Sequence, residues 1–495
     1  MNTKTHLVAG LSAIALIAMA GGVAAAAPVT ITGIATSGEQ AGDTGQTFTN
    51  FNNPYLNEAG QTAFIAQTTP DADGNNGGIF RGDGTTVAFD GQAAGDTGET
   101  FTVFRAMDFN DSGEITFLAT TTDNLSSNDQ GSFRQDGSTI AFQGQLAGNP
   151  GERILAPANP ILNDQGDIAY SVLTSRAFPN FGSGIFLGDG TTVVLGDDPA
   201  GDTGEFLLGN GIVSFGSPLQ LNNAGQIAFG GLTTPDAGGN DSGYFFADGT
   251  TIAFEGRAAG DTGETFQSFE AIDLNEAGQV VFGANTTPDA DGDNSGIFMA
   301  DGTTVAFEGR AAGSSGETYT FFFDPDLNNQ GEVVFRAFTT PDADGNNSGL
   351  FLGDGTTIAF EGDAAQGTGQ TFTNFSDPTL NNIGQVVFTA GTTPDVDGNR
   401  SGLFVFDPMD GIRNLVFQGD VLTDSLGIAR TVLAISFDPD GVSDNGVAFR
   451  ALYAGGGSGL FFAPLTSEIP LPAAGWAFLA GLGLMRTVRG RRSTS

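Results

Sequence analysis

The chain has 495 residues, with 57 acidic and 17 basic side chains and a formal net charge of −40. This charge argues against nucleic acid as a partner, because nucleic-acid binding needs Lys and Arg side chains that neutralise phosphates. The 76 Gly, 43 Phe and absence of Cys favour many short strands and fit an exported protein without disulfides.

The rare residues lie near the ends of the chain. The only Lys, His and Trp are Lys4, His6 and Trp476. The body between them therefore lacks the side chains for Ser-His-Asp or Cys-His catalysis, for Schiff-base chemistry and for His- or Cys-ligated metals. Carboxylates, hydroxyls, amides and about a dozen Arg remain, and oxygen ligands can still bind hard cations.

Residues 1–27 have the order of a secretory signal peptide. A charged start precedes an apolar run from Leu7 to Ala20, and small residues follow. We expect signal peptidase to cleave near Ala26 or Ala27. The alternative is an N-terminal membrane anchor, for which the apolar run is short.

Residues 28–466 contain eight copies of one repeat. The Asn of its LNxxG phrase recurs every 53 residues, with one spacing of 59, and Ser443 takes its place in a degenerate eighth copy. The seven positions are Asn57, Asn110, Asn163, Asn222, Asn275, Asn328 and Asn381. This period suits a four-stranded unit and is close to that of kelch propellers. The phrase itself is interpreted as a turn.

One copy illustrates the predicted unit. Its four strands are predicted at Thr265–Asn275, Gly278–Asn285, Gly296–Met299 and Thr303–Glu308. Adjacent apolar residues within these strands indicate burial on both faces, as when blades stack on blades. Phe supplies the bulk between the blades without a polar atom that needs a partner.

The two ends of the array predict how it closes. Val29–Phe48 matches a fourth strand with its linker, and Ser458–Leu465 matches a third strand. The N-terminal strand would therefore complete the last unit and leave no free sheet edge. The sequence predicts an all-β, eight-bladed β-propeller. The alternative is a β-solenoid, which would need capping units instead.

The loops predict a candidate metal site. In each unit, the loop between the second and third strands (PDADG) and the linker from the fourth strand to the next unit (AGDTGE) are expected to lie on one acidic face. The turns between strands 1 and 2 and between strands 3 and 4 should lie on the opposite face. Any function is predicted on the acidic face. Alternating oxygen side chains around a Gly can converge on Ca²⁺; the alternative is turn chemistry on a solvated loop. The candidate ligands are Asp71, Asp73, Asn75, Asp289, Asp291, Asp293, Asp342, Asp344, Asn346, Asp395, Asp397 and Asn399.

A glycosidase that uses paired carboxylates is the enzymatic alternative. A catalytic pair should break the repeat, as one or two unrepeated acids in a deep polar cleft, and no such break is identified among the acids. Arg153, Arg176 and Arg400 do break the pattern. They could bind an anionic sugar, although isolated surface Arg is the simpler interpretation.

Residues 467–495 have the composition of a sorting tail. Ile469–Met485 is an apolar stretch of 17 residues, at the lower limit for a membrane-spanning helix, and the Arg cluster after it would stay in the cytoplasm. The motif Ile469, Pro470, Leu471, Pro472 and Ala473 with this tail resembles the VPLPA-CTERM signal, a relative of PEP-CTERM, with Ile for Val. The resemblance implies an exosortase-type protease and delivery to the surface or extracellular matrix of a Gram-negative bacterium.

The repeat resembles tandem NxxGxxAF-repeat proteins that carry various C-terminal anchors. LNNAGQIAF at Leu221–Phe229 matches the motif, and other copies have Val for Ala. This resemblance covers Val29–Leu465 and implies a surface-attached protein without an established activity. We expect a non-enzymatic binding or matrix protein, with extracellular polysaccharide as a partner and Ca²⁺ as a cofactor; the alternative is a carbohydrate-active enzyme.

Overall fold

The structure, a computed structural model, describes residues 30–465 apart from 123–128, 148–151, 176–181, 210–211 and 213–218. These described residues form eight antiparallel sheets, each of which is one blade of a β-propeller. The predicted eight-bladed, all-β propeller is confirmed, and the solenoid alternative is wrong.

The strands of the first four blades follow the chain. Blade 1 contains β2 (Phe48–Phe51), β3 (Tyr55–Leu56), β4 (Thr62–Thr68), β5 (Gly77–Arg81) and β6 (Thr86–Phe89). Blade 2 contains β7 (Phe101–Phe109), β8 (Ile115–Thr121), β9 (Gln130–Arg134) and β10 (Thr139–Phe142). Blade 3 contains β11 (Ile154–Pro157), β12 (Ile161–Leu162), β13 (Ile168–Thr174), β14 (Gly182–Leu187) and β15 (Thr192–Leu195). Blade 4 contains β16 (Gln220–Leu221), β17 (Ile227–Leu232), β18 (Ser242–Phe246) and β19 (Thr251–Phe254).

The last four blades continue the pattern. Blade 5 contains β20 (Phe266–Leu274), β21 (Val280–Thr286), β22 (Ser295–Met299) and β23 (Thr304–Phe307). Blade 6 contains β24 (Tyr319–Phe322), β25 (Asp326–Leu327), β26 (Val333–Thr339), β27 (Ser348–Leu352) and β28 (Thr357–Phe360). Blade 7 contains β29 (Ala364–Ala365), β30 (Gln370–Phe375), β31 (Thr379–Leu380), β32 (Val386–Thr392), β33 (Ser401–Asp407) and β34 (Gly411–Phe417). Blade 8 contains β35 (Val421–Thr423), β36 (Ala429–Ser436), a 3₁₀ turn (Pro439–Gly441), β37 (Gly446–Tyr453), β38 (Ser458–Pro464) and the N-terminal β1 (Thr32–Thr36).

The ring closes as the two ends of the array predict. Strand β1 pairs antiparallel with β38, and Thr36 lies opposite Gly459. The N-terminal strand thereby supplies the outer strand that blade 8 would otherwise lack. In blade 5, the four observed strands agree with the predicted bounds to within two residues.

The hydrophobic core lies between neighbouring blades. In the strand sequence Val281-Phe282, successive side chains point to opposite faces of the sheet. Val281 packs in one cluster with Phe335 of blade 6, whereas Phe282 packs with Ala228 of blade 4. Each blade therefore presents a Phe face to the smaller aliphatic face of the blade before it, which explains the Ala-Phe and Val-Phe pairs of the repeat.

The LNxxG phrase is more than a turn. In blade 5, Leu274 and Asn275 are buried, and Gly278 has a φ of 78°, which favours Gly because it has no Cβ. The Asn275 Oδ1 accepts the Gln279 N–H at 2.9 Å. Its Nδ2 donates across the blade boundary to the Asn328 carbonyl at 2.9 Å.

This inter-blade hydrogen bond recurs around the molecule. The donor amides are those of Asn57, Asn110, Asn163, Asn222, Asn275, Asn328 and Asn381, at 2.8–3.3 Å from the next carbonyl. Ser443, in the eighth copy, has no amide to donate. Its neighbour Asn445 closes the circle instead, donating from Nδ2 to the Glu58 carbonyl at 2.7 Å. We call this set of contacts the Asn ring.

The prediction that the AGDTGE linkers lie on the same face as the PDADG loops is wrong. Residues 40–47 form a narrow hairpin, and its tip lies at the start of the fourth strand, where the Asp43 N–H donates to Thr86 Oγ1. The same contact joins Asp261 to Thr304 and Ser314 to Thr357. The linkers therefore fold back along the blades, away from the PDADG loops. They do so because the Ala directly before the Gly of each tip, such as Ala41, is buried between blades.

We expect Asn275→Ala to lower the free energy of unfolding by about 2–3 kcal/mol, because it removes two hydrogen bonds. The buried Asn328 carbonyl would keep only the Gly331 N–H, and the Gln279 N–H would lose its partner. Urea denaturation measures the change. The exposed Asn347 provides a matched control, and Asn347→Ala should change stability by less than about 0.5 kcal/mol. Equal effects of the two substitutions would contradict a structural role for the Asn ring.

Candidate functional site

The repeated DxDG loops lie where the sequence predicts them, between the second and third strands. The Asp71 Oδ1 accepts the N–H groups of Asp73 and Asn75 at 2.8 and 3.0 Å, and its Oδ2 accepts Asn75 Nδ2 at 3.0 Å. The loops that begin at Asp342 and Asp395 repeat these contacts. The hydrogen bond from Asn75, above all, holds the pKa of Asp71 below its usual range. The first Asp therefore stabilises its own turn.

The loop of blade 5 differs by one residue. Asp293 replaces the Asn, so the Asp289 carboxylate loses the amide donor and faces a like charge instead. Desolvation first and then the nearby Asp289 charge raise the pKa of Asp293. Within the described part of the chain, no three acidic or His side chains converge closely enough to hold one metal ion.

A second set of polar side chains, five acids and three amides, surrounds one end of the propeller axis. The residue after each ring Asn uses its side chain to accept a backbone N–H from the preceding blade, as Asp111 does from Glu58 at 2.7 Å. The set comprises Glu58, Asp111, Asp164, Asn223, Glu276, Asn329 and Asn382. Asp444, which follows Ser443, completes it, although its buried Oδ1 has no hydrogen-bond partner among the described residues. Burial, partly offset by the Asp444 N–H and reinforced by nearby carboxylates, raises the pKa of Glu58 to about 7. We call this set the acidic mouth.

The acidic mouth opens into a central channel. One cavity of about 430 Å³ is lined by the acidic mouth and adjoins a cavity of about 770 Å³. The two share Tyr55, Asp108, Leu162, Leu221 and Asp440 in their walls. Because four of these residues come from the first strands of four blades and Asp440 comes from the 3₁₀ turn of blade 8, both cavities belong to the channel along the propeller axis.

Three carboxylates stand on the inner strands of the channel at one repeat position, two residues before the ring Asn. Asp108 accepts the N–H of Leu162 in the next blade at 2.6 Å. Asp273 and Asp326 likewise accept the N–H groups of Leu327 and Leu380, at 3.0 and 2.7 Å. Each of the three thus joins its blade to the following one beside the Asn ring.

Burial changes the protonation of these groups. Desolvation raises the pKa of Asp108 to about 6. Desolvation also raises the pKa values of Asp273 and Asp326, whose carboxyl groups hydrogen-bond to each other, so that Asp326 retains a proton that it shares with Asp273. The pair therefore carries less than two negative charges at neutral pH.

Asp440 is a fourth acid of the channel. It lies in the 3₁₀ turn of blade 8, and its carboxylate is exposed to the channel although protein surrounds it. Desolvation, followed by the Asp108 charge, raises the pKa of Asp440 to about 7. Asp108 and Asp440 line the same cavity.

The sequence pattern did not single out these four acids. Only three of eight repeats carry Asp two residues before the ring position, where the others have Tyr55, Ile161, Gln220, Thr379 and Gly441. The sequence did contain an indication of these acids, because an acid in a strand that is covered on both faces breaks the repeat. It was hidden by the many acids of the loops.

The other predicted features have mixed outcomes. Arg153 donates to the Gly144 carbonyl, and Arg400 is exposed. Arg176, the signal peptide and the sorting motif Ile469–Ala473 lie outside the described residues. The helices of the described residues include none long and apolar enough to cross a membrane.

The acid pair predicts an unusual pH dependence. Since the folded pKa of Asp326 is raised, its contribution to stability is complete below about pH 4, the unfolded pKa, and is lost as pH rises through the folded value. Asp326→Asn mimics the protonated acid, so the variant should lose less stability than the parent between pH 5 and 8. Urea denaturation of the parent and the variant at several pH values in this range measures the loss of stability. Asp344→Asn, on an exposed loop of the same blade, should keep the parental slope, and equal slopes for all three proteins would contradict the prediction.

No curated protein matches the chain. Among solved structures, the crystal structure of a eukaryotic initiation factor is 10% identical, with 84% of this chain and 91% of that chain covered and a TM-score of 0.41. The neuraminidase-like protein of A/flat-faced bat/Peru/033/2010 (H18N11) is 12% identical, covering 66% and 96%, with a TM-score of 0.27. A Trypanosoma rangeli sialidase is 12% identical, covering 89% and 60%, with a TM-score of 0.24.

A family profile matches the chain in sequence, which the solved structures at 10–12% identity do not. The profile described as "Family of unknown function (DUF7453)" matches residues 14–144 and 137–474, which together cover nearly the whole propeller. The chain therefore belongs to the DUF7453 family.

Proposed function

We propose that the protein is an exported, non-enzymatic β-propeller that binds an extracellular ligand in its central channel. The observation that supports this proposal is the place where the repeat breaks. The Asn ring and the Phe faces recur from blade to blade and the DxDG loops recur in four blades, whereas the channel wall carries charged residues that only some blades have, namely Asp108, Asp440, Arg105 and Arg450. A concave site with a few convergent polar groups is the usual form of a binding site.

Delivery to the cell surface is supported by the two terminal sequences. The signal peptide, residues 1–27, would be removed by signal peptidase, and the motif Ile469–Ala473 with its apolar and basic tail would be processed by an exosortase-type protease after transient anchoring. Replacement of Pro470 and Pro472 by Ala should leave the protein in the membrane fraction of the producing cell. Unchanged release into the surface fraction would contradict this part of the proposal.

Calcium binding by the DxDG loops stays a prediction. The first Asp of each loop already accepts hydrogen bonds within its turn, whereas the second, such as Asp73 or Asp344, is exposed and would bind the ion together with water. Thermal unfolding with millimolar Ca²⁺ should then give a higher melting temperature than unfolding with a chelator. Identical melting temperatures would contradict it.

A carbohydrate-active enzyme is a second candidate, favoured by one observation. Asp108 and Asp440 line one cavity of about 770 Å³ and have pKa values raised to about 6 and about 7. A general acid needs such a raised pKa, and glycosidases use two carboxylates. No described protein group donates a hydrogen bond to the Asp440 carboxylate.

The two candidates give opposite results with a panel of acidic and neutral polysaccharides. We expect the purified protein to retain a polysaccharide in co-sedimentation without producing new reducing ends. New reducing ends that disappear in Asp108→Asn or Asp440→Asn would establish the enzyme instead, since either substitution should lower the rate about 100-fold or more. Neither binding nor cleavage across the panel would contradict both candidates.

A further inference from the structure

A third cavity lies in the channel wall where the ring closes. Its volume is about 440 Å³, and it adjoins the cavity of about 770 Å³ through Tyr55 and Ala106. Blades 8, 1 and 2 contribute its polar lining, which is Asn52, Asn53, Arg105, Ser436, Asp438 and Arg450. Two Arg side chains in one cavity are notable in a chain with a net charge of −40.

Arg450 lacks a complete set of partners. Its guanidinium donates from Nη2 to Asn50 Oδ1 at 2.7 Å. Its Nε is buried and has no hydrogen-bond partner among the described residues, and none of their carboxylates forms an ion pair with it. An unpaired buried donor is costly, so the protein leaves the Arg450 guanidinium only partly compensated.

In blade 6, an Arg at the same position has an ion-pair partner. Arg336 occupies the register position of Arg450, since both lie in the second strand and face Leu350 and Leu460, respectively. The Arg336 Nε pairs with Asp377 of blade 7 at 2.8 Å, and its guanidinium stacks 3.4 Å from the Phe323 ring centre.

The partner of Arg450 is missing because of one residue. Residues 50–57 of blade 1 (NFNNPYLN) align with residues 374–381 of blade 7 (NFSDPTLN). In this alignment, Asn53 takes the position of Asp377. Asn53 is already engaged, since its Nδ2 donates to the Phe437 carbonyl and its Oδ1 accepts Ser436 Oγ at 2.7 Å. The unpaired Nε of Arg450 is thus the atom that its counterpart in Arg336 uses to bind a carboxylate.

The remaining lining completes a mixed site. Arg105 forms no ion pair with the described carboxylates, and Asn52 is exposed. Asp438 adds a carboxylate to the same wall, which would repel a bare inorganic anion but accepts hydrogen bonds from hydroxyl groups. A ligand that combines a carboxylate with hydroxyls matches both halves of the wall.

We propose that this cavity binds the uronate unit of an acidic polysaccharide, with Arg450 and Arg105 on the carboxylate and Asp438 and Asn52 on the hydroxyls. The planar guanidinium fork fits a carboxylate, and the cavity volume is within the range of small-ligand sites. This inference rests on the proposed function, because it names the ligand class of the channel.

Titration calorimetry of the purified protein with tri-galacturonate, at constant pH and salt, tests the proposal. Arg450→Gln and Arg105→Gln should each weaken binding by about tenfold or more. Arg336→Gln is the matched control, because Arg336 is already neutralised by Asp377, and its affinity should stay parental. Thermal melts verify that each variant is folded.

Asn53→Asp is the decisive variant. It recreates the ion pair of blades 6 and 7, so Arg450 should be neutralised, tri-galacturonate binding should fall about tenfold, and the melting temperature should stay or rise. Asn53→Ser removes the same side-chain contacts without adding charge and should retain binding. Equal affinity of parent and Asn53→Asp would overturn the proposal.

The probes separate this inference from the proposed function. Neutral tri-galactose should bind at least tenfold more weakly than tri-galacturonate, and equal binding of both would overturn the uronate assignment while leaving a polysaccharide-binding propeller. Acidic polysaccharide that is bound equally by the parent and by Arg450→Gln would also leave the proposed function intact and place binding elsewhere. No binding of any polysaccharide would overturn both.

Discussion

In seven of the eight blades, the ring Asn donates a hydrogen bond from its side-chain amide to the carbonyl of the next ring position. The donor is buried in all seven copies, so its loss would remove an inter-blade contact from a place that water does not reach. The same Asn also closes its own turn through Oδ1. One side chain therefore sets both the local turn and the distance between neighbouring blades.

This contact explains where the sequence is free to vary. The Asn ring and the Phe faces require the same residues in each blade, and the linker tips require a small buried residue such as Ala41. The wall of the channel carries no such requirement, because the inner strand meets solvent on its free edge. Charged residues such as Asp108 and Arg105 can therefore occupy it without disturbing the stacking of blades.

The period and the divided last blade were enough to predict the propeller, since only a ring gives the N-terminal strand a partner. The position of the linkers was not predictable from strand order, because it depends on how a small residue such as Ala41 packs between neighbouring blades. Asp108 and Asp440 were equally hidden. They are 332 residues apart in the chain and share a cavity only because the ring brings blades 2 and 8 to one axis.

The net charge of −40 argues against nucleic acid but does not exclude a small anion. At physiological salt, exposed charges are screened beyond about 8 Å, so the loops contribute little inside the channel. There, the field is set by nearby groups in a medium less polar than water. Burial lowers the pKa of Arg450, which is the expected response of a cation that no carboxylate neutralises. A carboxylate ligand would supply the missing charge, whereas a cation at this wall would meet two guanidinium groups.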